Sequence, residues 1–61
     1  MIPLRMLLLY VRSTKGLCRY EEEVAEGQQA VVGVLYIAKS RLGEKAPKRM
    51  TLTLEEDHAS D

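Results

Sequence analysis

One thiol, a run of carboxylates and a loop of cations are the groups in this sequence that could carry chemistry. Cys18 is the only cysteine and His58 the only histidine. A nucleophilic thiol needs a base within hydrogen-bond reach and a third group to orient that base. His58 stands in an acidic run near the end of the chain, with no orienting partner beside it. Cys18 therefore reads as a small residue on the inner side of a strand rather than as a nucleophile. One thiol and one distant imidazole do not make a metal site either. Glu21, Glu22 and Glu23 are adjacent, so in an extended chain they alternate sides and cannot work as a facing acid–base pair. The four glycines are dispersed and form no phosphate-cradling loop. These residues predict no enzyme and no cofactor.

The cations are more suggestive. Residues 39–49 hold Lys39, Arg41, Lys45, Lys48 and Arg49 against Glu44 alone. Arg12, Lys15 and Arg19 form a second group. If both groups shared one face, Tyr10, Tyr20 and Tyr36 would be available as stacking platforms for single-stranded nucleic acid. Three facts weigh against this. Nine basic residues balance nine acidic ones, and there is no Phe or Trp. Residues 21–26 and 55–57 carry acidic groups that would cancel much of the field. The plain alternative is a solvated loop.

The elements that must position these groups are short and extended. Sixty-one residues allow a single small domain, and a chain of that size buries only about 60% of its unfolded surface. An internal disulfide is impossible with one cysteine, so a partner chain is the expected supplement to the core. Leu4–Arg12 reads as a strand or a short helix, since its apolar period is ambiguous. STKG is a turn, with Gly16 suited to a left-handed conformation. Leu17–Glu23 is the return strand, alternating Cys18 and Tyr20 against Arg19 and Glu21. VAEGQQ connects it to Val31–Lys39, a strand rich in β-branched residues. Gly33 inside that run suggests a bulge or a close backbone approach. Ser40 is placed to cap one helical turn that Gly43 ends, and Pro47 holds Ala46 extended. MTLTLEE, residues 50–56, alternates strictly and reads as a half-buried strand.

The fold class expected is mainly all-β: a small antiparallel meander or open barrel of about four strands, with a single helical turn. Residues 1–56 form the domain and 57–61 a disordered acidic tail. Val31–Lys39 raises a problem of cover. Val31, Leu35 and Ile37 would lie on one face, with Val32, Val34 and Tyr36 on the other, and four strands supply cover for only one of them. A second copy of the chain is the economical answer. It makes Val32, Val34, Leu35, Tyr36 and Ile37 the expected interface of a homodimer.

Thr14-Lys15, Tyr20-Glu21, Gly33, Leu35-Tyr36-Ile37, Lys39, Leu42-Gly43, Pro47 and the TLTLE of residues 51–55 occur in an order that resembles a group of small uncharacterised bacterial and phage proteins. The resemblance spans about residues 12–56. It implies a compact β-rich fold and carries no activity.

The apolar run Met6–Val11 is too short for a signal peptide and lacks a cleavage site. Residues 30–38 fall well short of the roughly 20 that span a bilayer. A lone free cysteine suits a reducing compartment. The expectation is a cytoplasmic protein without membrane contact. The expected function is that of a self-associating interaction module, and the alternative is a binder of single-stranded nucleic acid through the loop of residues 39–49.

Overall fold

The computed structural model describes residues 2–58. It contains strands β1 (Leu4–Ser13), β2 (Leu17–Glu22), β3 (Val34–Ala38) and β4 (Arg49–Leu54), with one 3-10 turn at Lys39–Arg41. All pairings are antiparallel and the sheet order is β3-β2-β1-β4. β1, β2 and β3 follow one another as a meander, and β4 then returns across the sheet to pair with β1, the Greek-key arrangement. The sheet curls into a half-barrel. The all-β expectation holds, including its single helical turn.

β1 is a strand because it is paired along both edges: Leu8, Leu9 and Tyr10 oppose β2, while Leu4 to Leu9 oppose β4. That double ladder outweighs the helix propensity of a Leu-rich run. Alternation then sorts the side chains. Leu4, Met6, Leu8 and Tyr10 share the inner face with Cys18, Tyr20, Leu35, Ile37, Met50, Leu52 and Leu54. Met6, Leu8, Cys18 and Tyr20 are buried, with Leu35, Ile37, Leu42, Ala46 and the β4 residues packed partly against them. The molecule measures 36 × 36 × 14 Å, so it is one sheet thick. Cover comes from Leu42 and Ala46 of the connection from Lys39 to Lys48 and from Val32, and the Tyr20 hydroxyl pins that connection by donating to the Pro47 carbonyl at 2.7 Å.

A break of register between Tyr10 and Arg12 inserts Val11 as an extra residue in β1. Such a bulge flips the side-chain phase beyond it. Ser13 consequently joins Tyr10 on the inner face, where their hydroxyls share a 2.6 Å hydrogen bond.

Several local expectations are corrected. β3 starts at Val34, not Val31. Gly33 takes φ +77° and turns the chain, and beyond its two chain neighbours nothing lies within 4 Å of where its Cβ would be. It is neither a bulge nor a close approach. This turn also breaks the expected alternation, so that Val32 packs against the core and Val31 is exposed. Gly16 is not left-handed, since the positive φ values fall at Gly27, Gly33 and Gly43. Gly43 does end the helical turn, at φ +87°. Ser40 lies within that turn, whose N-terminal flank, Ala38, makes no side-chain cap. The last strand spans Arg49–Leu54 and leaves Glu55 and Glu56 outside. Of the expected tail, Asp57 and His58 have no regular secondary structure, and residues 59–61 lie outside the described residues.

Candidate functional site: a lysine-rimmed cavity and an open strand edge

Where the β3–β4 connection folds over the inner face, it encloses an open cavity of about 420 Å³. Tyr10, Ser13 and Cys18 line it from the sheet, and Lys39, Gly43, Glu44, Lys45, Ala46 and Lys48 from the connection. The sheet side is held firmly. Tyr10 meets Tyr20 edge-on at 5.7 Å and 76°, and Ser13 Oγ lies 3.5 Å from Cys18 Sγ. Burial pushes the Tyr20 phenol above its ordinary pKa, with Cys18 and Tyr10 adding to the effect. Gly43 supplies the reversal that brings Glu44 and Lys45 back over the sheet. Among the described residues, none of the three lysines forms an ion pair.

The five expected loop cations are thus divided. Lys39, Lys45 and Lys48 gather around the cavity, while Arg41 and Arg49 do not line it. Arg49 opposes Leu9 and shares the outer face with Thr51 and Thr53. Arg19 also faces outward, bound to Glu21 at 3.0 Å. The tyrosines go to three different places: Tyr10 to the cavity, Tyr20 to the core and Tyr36 to the outer face at 53% exposure. A continuous basic track carrying all three rings is not assembled. Cys18 is buried, whereas His58 is exposed beside Glu56 at 4.0 Å. Among the described residues, no group of three His, Cys, Asp or Glu side chains is placed to hold a metal ion.

The expected interface residues are divided as well. Val34 and Tyr36 are exposed on the outer face, while Val32, Leu35 and Ile37 pack against the core. Among the described residues, β3 is an edge strand that pairs with β2 alone. Gly16 accepts from Lys39 N and Gly33 from Glu22 N, which marks 16:39 and 22:33 as hydrogen-bonded pairs of the β2–β3 ladder. Antiparallel alternation then turns the backbone groups of Leu35 and Ile37 toward β2 and those of Tyr36 and Ala38 toward the open edge.

Glu22 was not singled out by the sequence, yet it organises the approach to β3. Its Oε1 accepts the amides of Val31, Val32 and Gly33 at 2.8, 2.8 and 3.1 Å. Consecutive amides converging on one oxygen form an anion nest, here filled by the chain's own carboxylate. The Val32 and Gly33 amides hold that carboxyl below the usual range, Val31 adds to them, and burial opposes them. Only the left-handed Gly33 hints at this contact in the sequence, and nothing there names the acceptor. The Val11 bulge that places Ser13 in the cavity has no sequence signal at all.

Among the described residues, no helix is long and apolar enough to cross a membrane. No protein-family model, no curated protein and no solved structure matches this chain.

Proposed function

We propose that this chain is a self-associating interaction module in which two copies pair edge to edge along β3. The carrying observation is the character of that edge. Val34–Ala38 is a run of five uncharged residues on a strand whose outer edge is open, with Val34 and Tyr36 exposed at 40% and 53%. Edges that must stay single are ordinarily guarded by charge, proline, a bulge or a covering segment. β4, the opposite edge, has such a guard in Arg49 and in the Glu55 and Glu56 that follow it. β3 has none.

The geometry favours one register. With a twofold axis at Tyr36, Val34 of each copy opposes Ala38 of the other, and all five strand residues pair. Moving the axis to Leu35 or Ile37 leaves three from each copy. The outward amides of Tyr36 then meet each other, and the two rings stack side by side on the outer face, a cross-strand pair worth about 0.2–1 kcal/mol. Charge agrees with the antiparallel sense. The basic turn Lys39–Arg41 of one copy lies toward the end of the other copy that carries Glu21 and Glu23. A five-residue strand spans about 17 Å, so the contact is small and its affinity modest.

Mass measured by analytical ultracentrifugation across a concentration series tests this. The wild type is expected to pass from monomer to dimer, and Tyr36→Lys, which sets two ammonium groups at the axis, to stay a folded monomer. A wild type that is monomeric even at millimolar concentration overturns the reading.

Single-stranded nucleic acid binding by Lys39, Arg41, Lys45, Lys48 and Arg49 is the second reading. It draws on the three lysines around the cavity and finds no support in the placement of Arg41 and Arg49.

A further inference from the structure

The geometry points to the cavity as a binding site for a phosphate monoester of a small organic molecule, independently of how the chain self-associates. Lys39, Lys45 and Lys48 line one opening, with Glu44 as the only carboxylate among the described lining residues. Three cations against one anion leave an excess of two positive charges. A phosphate monoester carries about −1.5 to −2 near neutral pH, whereas a carboxylate or an internal phosphodiester of a nucleic acid carries a single negative charge. The dianion is the ligand that matches the excess. Lysines suit it as well, since their ammonium groups are compact point charges on flexible stems that reach separate oxygens of one tetrahedral group.

The remaining wall suits the organic portion. Tyr10 is fixed on two sides, by the edge contact with Tyr20 and by the hydrogen bond to Ser13, and so presents an ordered aromatic surface. Ala46 lines the cavity from the connection, and the Ser13 hydroxyl adds a polar point on the sheet side. A volume of about 420 Å³ lies within the range of about 300–1,000 Å³ typical of small-molecule sites. It is too small to be a track for a polynucleotide. The same chemistry is found on a free metabolite and on the 5′ end of a nucleic acid strand, and the two sources are separable by experiment.

The test is an amide NMR titration of the full chain at low salt with inorganic phosphate, adenosine 5′-phosphate, adenosine, and a single-stranded oligonucleotide with and without a 5′-phosphate. Saturable shifts at Ser13, Gly43, Lys45 and Ala46 are expected with adenosine 5′-phosphate and not with adenosine. A matching response to the 5′-phosphorylated oligonucleotide alone of the two strands assigns the site to strand ends as well. No response to either strand restricts it to free phosphate esters. Replacing Lys45 and Lys48 together by Gln should weaken binding at least tenfold while the ultracentrifuge mass stays that of the wild type, so failure of this site and failure of the β3 dimer remain distinct. Equal shifts with adenosine and adenosine 5′-phosphate, or no shift at these amides with any phosphate, overturn the assignment.

Discussion

Glu22 and Tyr20 show how single polar atoms hold this thin sheet together. Glu22 Oε1 gathers three amides that would otherwise need water, and it does so as a carboxylate. Its folded-state pKa is depressed, led by the Val32 and Gly33 amides. The stability it contributes is therefore present above the ordinary glutamate range and is lost as pH falls through the depressed value. Glu22→Gln keeps an oxygen acceptor but not the charge, so its stability should depend less on pH in that acid window than the wild type's. Chemical denaturation at a series of pH values reads the difference, and identical acid limbs would contradict it. Tyr20→Phe should cost about 1 kcal/mol, because it removes the bond to the Pro47 carbonyl without altering the packed ring. The connection should also loosen, which hydrogen exchange at the Tyr10 amide, donor to the Lys48 carbonyl at 3.0 Å, would report.

β3 is the element on which the proposed assembly turns, and its two faces make opposite demands on substitution. Leu35 packs against the core, so Leu35→Lys should unfold the chain by burying an unpaired charge. Tyr36→Lys, one residue along and half exposed, should leave the fold intact and abolish only the dimer. Circular dichroism separates the two outcomes before any mass is measured. Gly33 marks the start of the strand. Gly33→Ala meets no steric obstacle, yet φ +77° costs an L-residue about 1–2 kcal/mol. A loss of that size in denaturant titration is expected, and a neutral result would mean that the turn relaxes to another conformation.

At the scale of the whole molecule, whose least dimension is 14 Å, the sheet carries one packed face, with four hydrophobic residues buried among those described. The three ladders β3–β2, β2–β1 and β1–β4 supply the rest of the order, and both outer edges of the sheet remain unpaired among the described residues. A monomer of this kind has little surface removed from water, and mass action should add to its stability wherever dimer forms. The thermal midpoint should accordingly rise with protein concentration in the wild type and be independent of it in Tyr36→Lys. Equal midpoints at all concentrations in both would argue against association of the folded state.

Alternation at Met50–Leu54 and at Cys18–Glu21, together with the β-branched run before Lys39, determined from sequence alone that the chain is a small antiparallel β structure. The clustering of cations in residues 39–49 was equally plain, because charge is a property of residue type. Pairing partners were not, since a strand's neighbours are chosen by contacts far apart in the chain. The Leu-rich opening segment could be read as strand or helix until two ladders enclosed it. The return of β4 to β1 made β3 an edge, and that placement left Val34 and Tyr36 exposed while Leu35 and Ile37 turned inward. Folding the connection over the sheet chose three of the five loop cations for one cavity, and the extra residue at Val11 put Ser13 beside Tyr10. Composition sets which groups are available. Only the closure of non-local hydrogen-bonded pairs decides which of them meet.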